Sequence, residues 1–291
     1  MSLSLGGTYT ATTNAAIASY DQEVKMAYQG QGVLRSNVRF KGGVVGQQFA
    51  FRKMGAAVAY QQTASAEMIT PNDTSHTKIF ATLSNWRVGD YTDLFDQAET
   101  TIDERADLAK NHAMALGRAE DQLIINAIDA ASSIAGTVDE DFGATNSGVT
   151  ADKLRRAKRY LVARQAAGSD HHFLINAAGL ETALAEIEVT SADYQTMKAL
   201  VDADLNQKKA FGFTFHVIED RVEGGLPSIS TSIRQCFAYD KNAVGLATAI
   251  EPNGRVDFIP ERGAWLSQSI LKAGAAVVDT LGIVEVQSYE A

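Results

Sequence analysis

The stretch RADLAKNHAMALGRAEDQLIINAIDAA, Arg105 to Ala131, holds no proline and a single glycine, Gly117. Apolar or small residues at Ile102, Ala106, Ala109, Ala113, Leu116, Leu123 and Ala127 recur at steps of three and four, close to the spacing of one stripe of an α-helix. Just upstream, Thr101 and Glu104 form a Thr-x-x-Glu capping box that marks a beginning. From there to Ala131 the helix runs about 30 residues, or roughly 45 Å. A globule of this chain length has a radius of gyration of roughly 19 Å and is only about 50 Å across. A rod as long as the molecule predicts a flat, extended plate.

The 291 residues are 45% hydrophobic and 21% charged, enough apolar mass for one large core or two modest ones. The segment MSLSLGGTYTATTNAAIASY has no basic leader and no sustained apolar run, which predicts neither a signal peptide nor an anchor. AGAAVV near the other end is too short to span a bilayer. Cys236 is the sole cysteine, so an internal disulfide and a thiolate metal cage are excluded, and a reducing cytoplasm is the expected compartment. The sequon Asn72-Asp73-Thr74, beside Pro71, reads as a plain turn.

The formal net charge is −9 and the pI near 5.1, which argues against tight nucleic-acid binding by the whole surface. One segment opposes that sign. DKLRRAKRYLVAR, Asp152 to Arg164, has six Lys or Arg against one Asp, with Leu154, Ala157 and Leu161 as an apolar stripe. It reads as an amphipathic helix whose basic face is either simply solvated or in contact with a polyanion or an acidic partner.

Upstream, the Thr-, Ser- and Gly-rich residues 1–13 predict an extended or mobile arm, and Ile17, Tyr20, Val24 and Ala27 predict a short helix over Asn14–Gln29. In SNVRFKGGVVGQQFAFRKMG, Ser36 to Gly55, Val38 and Phe40 alternate with polar residues, as do Phe49 and Phe51, with a glycine-rich connection. The pattern predicts a projecting β-hairpin. AVAYQQTASAEMITPNDTSHT is loop-like, and Ile79, Ala81 and Leu83 mark a strand leading to the long helix. EDFGATNSGVT, Glu140 to Thr150, is a turn-rich boundary. Beyond it strands and helices alternate. HHFLIN is a strand whose Asn176 caps AAGLETALAEIE, and a further helix covers Tyr194 to Asp204. AFGFTFHVIED is a strand, Ile233–Tyr239 another, and Asp240 is expected to cap a short helix. VDFIPE and VVDTLGIVEVQS read as closing strands, with Val284 and Val286 on one face.

The search for chemistry returns little. His76, His112, His171, His172 and His216 offer no helical pair for a metal, and adjacent His171 and His172 on a strand point to opposite faces. One of these two is expected to line a core. There is no phosphate-binding glycine loop and no nucleophile elbow, and Cys236 falls inside a strand. The expectation is no catalytic site, no cofactor and no metal.

If the closing strands return to pack on the long helix, one domain is discontinuous, with the segment from about 141 to 255 inserted in it. This order of parts resembles the major capsid proteins of tailed bacteriophages, the Hong Kong 97 capsid fold. CFAYDKNAVGLATA, Cys236 to Ala249, is similar to a segment recurrent in such coat proteins, and GAAVVDTLGIVEVQS looks like their final strands. The resemblance implies an α+β fold with an N-terminal arm (1–35), an extended hairpin loop (36–75), a peripheral domain with the spine helix (76–140 and 256–291) and an axial domain (141–255).

It further implies self-assembly into pentamers and hexamers of an icosahedral head around double-stranded DNA, without turnover. The expected partners are copies of the same chain, a separate scaffolding protein, a portal with or without cement proteins, and DNA by weak contact only; no membrane is involved. Synthesis in the host cytoplasm and residence in the virion follow. Val38, Arg39, Phe40, Lys41, Phe49, Phe51 and Arg52 are the expected inter-subunit contacts, and Lys153, Arg155, Arg156 and Arg159 the expected interior basic face. Two other readings remain open: an encapsulin-like compartment shell, and an α/β enzyme with an unrecognised site.

Overall fold

A computed structural model describes residues 31–69, 71–94, 105–164, 170–187 and 209–290. The expected helices over Asn14–Gln29 and Tyr194–Asp204, and the Thr101/Glu104 cap, lie outside these residues. The long helix is α1 (Arg105–Asp129), and its buried stripe runs through His112, Leu116, Ala119, Ile124, Ile125 and Ile128. Leu123 is only half-buried and Ala113 is exposed, so the stripe is rotated slightly from the one the small residues suggested.

α1 packs on a four-stranded sheet of order β1-β11-β12-β4. Its strands are β1 (Arg39–Lys41), β4 (Ser84–Asp93), β11 (Val244–Ile259) and β12 (Ala264–Val277). The long β11–β12 hairpin turns at Gly263, which has φ 62°. His112 Nε2 lies 2.9 Å from Asp90 Oδ2, tying the helix to β4. The second sheet, of seven strands, has order β5-β13-β10-β6-β8-β7, with β9 also on β10. It contains β5 (Gly136–Val138), β6 (His171–Ile175), β7 (Lys209–Ala210), β8 (Phe213–Val217), β9 (Ser228–Ser230), β10 (Ile233–Asp240) and β13 (Ile283–Tyr289). Helices α2 (Ala151–Ala163) and α3 (Ala177–Ile187) belong to this half. Thr150 caps α2 by accepting from the Lys153 amide, and Asn176 caps α3 by accepting from the Gly179 amide at 3.0 Å, as expected. One continuous apolar core joins Leu116, Ile124 and Ile128 of α1 to Phe173, Phe215, Phe237 and Val284 of the second sheet.

Three expectations need correction. β13 does not return to the helix's sheet. It pairs with β10 on one side (Val284↔Ala238, Val286↔Cys236) and β5 on the other, as an interior strand. Its alternation is as expected, with Val284 and Val286 buried on one face and Glu285 and Gln287 half-buried on the other, where Glu285 accepts from Gln235 and Gln287, both at 3.1 Å. No helix follows Asp240. Its carboxylate accepts from the Asn242 amide and closes a tight turn, because Val244, Leu246 and Thr248 continue as buried β11. Finally, Val38–Phe40 does not pair with Phe49–Phe51. β1 lies parallel to β11 (Phe40↔Leu246), whereas β2 (Gln48–Met54) pairs antiparallel with β3 (His76–Thr82).

Gly117, the lone glycine of the helix, marks where residue 32 crosses it. A Cβ on Gly32 would come within 2.5 Å of the Gly117 carbonyl oxygen. Beside this crossing, Asp121 accepts from the Val33 and Leu34 amides and from Arg221 Nη1 at 3.0 Å. Burial raises its pKa against these donors, so the contact is made at a desolvation cost. Asp121→Ala removes the carboxylate partner of a largely buried guanidinium and of two amides. The expected loss is about 3–5 kcal/mol of subunit stability, read by urea denaturation.

Candidate functional site

β2 and β3 form a hairpin connected through the long loop 55–75, so the projecting element is longer and lies further along the chain than its glycine-rich stretch suggested. One face is committed to its own subunit. Phe51, Ala81 and Leu83 pack with Val44, Ala247, Ala276 and Val278 in a small second core, with Phe49 edge-on to Phe51 at 4.9 Å. The fit is close: a Cβ on Gly245 would come within 2.6 Å of the Phe51 ring. Val38 and Phe51, each 2% exposed, are thus core residues, which corrects their assignment as inter-subunit contacts. Phe40 is partly exposed beneath Arg35, whose guanidinium sits 4.5 Å from its ring centroid, and Arg39, Lys41 and Arg52 are exposed.

The other face and the loop are open. Phe80 and Met54 lie uncovered on the strands, and Val58, Tyr60, Met68 and Ile69 on the loop, Met68 and Ile69 at 90% and 89% exposure. Polar bonds fold the loop on itself: Glu67 accepts from the Thr63 and Ala64 amides, which lower its pKa, and Asn72 donates to the Val58 carbonyl. An apolar surface of this size without cover is the usual mark of an interface. At the hairpin's base a cavity of about 290 Å³ brings Arg39 and Arg52 together with Lys53 and Arg164.

The basic helix α2 does not present one cationic face. Lys153 is fully buried, and its Nζ donates to the carbonyls of Glu140, Ser147 and Gln287 at 2.7–2.9 Å. Burial pushes its pKa down to about 8. Its place on the interior basic face is corrected: it binds loop to strand within the subunit, a role of backbone oxygens that residue type cannot announce. Arg156 lies against Phe142 and Tyr160, while Arg155, paired with Asp152 at 2.8 Å, and Arg159 are exposed.

Both His171 and His172 are buried, not one alone. His172 Nδ1 lies 3.0 Å from His216 Nε2, and Lys158 Nζ lies 2.7 Å from His171 Nδ1. Burial pushes the Cys236 thiol up to about 12, far from a reactive thiolate. Among the described residues no group of three or more His, Cys, Asp or Glu could hold a metal, and no helix is long and apolar enough to cross a membrane.

A long helix on an elongated sheet, a second sheet built partly from the chain's last strand and a protruding hairpin define the Hong Kong 97 type of capsid fold. Residues 12–290 match the family model for phage capsid protein, and the chain belongs to that family. The capsid protein of the cyanophage P-SCSP1u is 14% identical, with a TM-score of 0.71 over 98% of this chain and 95% of that one. That of the Helicobacter pylori bacteriophage KHP40 is 11% identical, with a TM-score of 0.69 over 99% of each chain. That of Ralstonia phage GP4 is 11% identical, with a TM-score of 0.67 over 100% of this chain and 98% of that one. At these identities the likeness is one of fold. No curated protein sequence matches the chain. Membership makes the chain a major capsid protein, a structural component of the virion shell.

The buried imidazoles give the subunit an acid limit. Burial, with His172 as the next contributor, pushes His216 down to about 4 from an ordinary 6.5. Between those values the unfolded chain binds more protons than the folded one, so stability falls as pH falls. His216 accounts for roughly 3 kcal/mol of that loss. Urea denaturation at pH 7 and pH 4.5 is expected to show a markedly smaller difference in His216→Gln than in the parent.

Proposed function

We propose that many copies of the chain close into pentamers and hexamers of an icosahedral shell around double-stranded DNA, and that the hairpin loop is the piece each copy lays on its neighbour. The observation that carries this reading is the uncovered row Met54, Val58, Tyr60, Met68, Ile69 and Phe80 on an element whose other face is already packed. Phe40, Lys41, Arg39, Arg52 and the half-buried Phe49 flank it and are proposed to contribute. Val38 and Phe51 anchor the hairpin instead. The role is structural, with no substrate turned over. A separate scaffolding protein and a portal complete the assembly, with cement proteins as optional additions.

DNA contact in this reading is weak. With Lys153 buried and Arg155 paired, Arg159 is the one exposed cation of the four that has no ion-pair partner among the described residues. A chain of net charge −9 encloses phosphate without gripping it.

The test separates folding from assembly. Removing residues 41–51 would strip Val44 and Phe51 from a core, so it cannot serve. Deleting residues 58–69 leaves β2, β3 and the Gly55–Ser75 hydrogen bond of 2.8 Å in place. This variant is expected to melt within a few degrees of the parent yet form no closed particles by electron microscopy. Closed shells from it would remove the loop from the interface.

A further inference from the structure

We propose that the cavity at the hairpin's base is an oxyanion site and that its occupant is a carboxylate of a second copy of this chain. The inference rests on the shell reading above and names the chemistry of one contact within it. Its cations come from three separate elements: Arg39 from β1, Arg52 and Lys53 from β2, and Arg164 from the end of α2. Their charges are unevenly answered. Lys53 Nζ holds Asp279 Oδ1 at 2.7 Å, whereas Arg39, Arg52 and Arg164 have no ion-pair partner among the described residues. One carboxylate remains in the wall, Asp240. It is buried, accepts from the Asn242 amide at 2.9 Å and has its other oxygen 3.9 Å from His171 Nε2. The cavity therefore holds three guanidinium groups without an ion-pair partner among the described residues, against two carboxylates: Asp279, held by Lys53, and Asp240, with one oxygen on the Asn242 amide.

Arg39 and Arg164 are anchored at the backbone. β1 is zipped to β11, and the Arg39 guanidinium sits 5.7 Å from the Phe51 ring centroid, on the small core under the hairpin. Arg164 follows the last turn of α2, its amide donating to the Tyr160 carbonyl at 3.1 Å. Clustering like charges costs free energy in the isolated subunit, and a bound anion reverses that cost. Guanidinium forks match the paired oxygens of a carboxylate, and about 290 Å³ is room for a protein side chain with part of its backbone.

Two features favour a second copy as the source. The chain has 35 Asp and Glu against 26 Lys and Arg, so each copy brings an acidic surface to its neighbours. The cavity is also continuous with the hairpin: Arg52 lies on the same strand face as exposed Met54, and Phe80 is paired on that face with Ala50. A neighbour that covers the hairpin reaches the cavity without a separate approach.

The experiment uses the full chain and a variant with Arg39→Gln, Arg52→Gln and Arg164→Gln. Lys209→Gln, an exposed cation on β7 outside the cavity and the hairpin, is the control, and Arg164→Gln alone replaces the triple variant if the latter melts early. Assembly is followed by light scattering and sedimentation in sodium chloride and in inorganic phosphate at equal ionic strength. The parent is expected to assemble less readily in phosphate than in chloride, because phosphate competes for the guanidinium groups. The triple variant is expected to need about tenfold more protein to assemble and to lose that distinction. Two results overturn the proposal. One is a triple variant that assembles like the parent and the control. The other is phosphate raising the subunit's melting temperature while leaving assembly untouched, which would make the occupant a free anion. A parent chain that builds no shell either alone or co-expressed with the scaffolding protein would instead remove the shell reading itself.

Discussion

A buried carboxylate ties three parts of the subunit together. Asp121, in the middle of the long helix, is 1% exposed and accepts hydrogen bonds from the Val33 and Leu34 amides and from Arg221. One residue thus fixes the incoming chain, the helix and a loop of the second sheet. Around it Arg118 forks onto Glu223 at 2.8–2.9 Å, and Glu120 pairs with Arg35, which also reaches Glu251. Such pairs are poor sources of net stability, since desolvation offsets most of the attraction. Their value here is geometric: they allow one arrangement of helix, arm and loop, and the apolar core then fills it.

That rigidity determines what is left for a neighbour. With β1 clamped to β11 and Phe51 seated over Gly245, the base of the hairpin is part of the folded subunit. Within the hairpin itself, the outer strand face and the loop beyond Gly55 are what remains without cover among the described residues. The division separates the two jobs of a shell protein, folding alone and binding copies, onto opposite faces of one β-ribbon. Substitutions at Phe51 and at Met68 should therefore fail in different ways, the first in the monomer and the second in the particle.

The parts of the fold legible in the sequence were those set by local rules. The spacing of Leu116 and its neighbours marked the long helix, Asn176 marked the start of α3, and the polar run around Pro71 marked a loop. What escaped depended on partners far along the chain. Arg39 pairs with Gly245, about two hundred residues away, and no pattern within Ser36–Gly55 distinguishes that pairing from a local hairpin. Lys153 was misread for a related reason. Its stem is apolar enough to enter a core, and the carbonyls that receive its ammonium are contributed by backbone, which every residue has. The alternation of β13 was legible, with Val284 and Val286 buried, but not the sheet it joins, because its partners Ala238 and Gly136 lie far along the chain.

Hydrogen exchange, resolved by peptide and compared between the isolated subunit and assembled particles, tests the account most directly. The amides of Val33 and Leu34, held by Asp121, are expected to be slow in both states. Those of residues 58–69 are expected to exchange rapidly in the subunit and become protected only in the particle. Loop amides already slow in the subunit, or still fast in closed particles, would contradict the claim that a neighbouring copy supplies the cover this hairpin lacks.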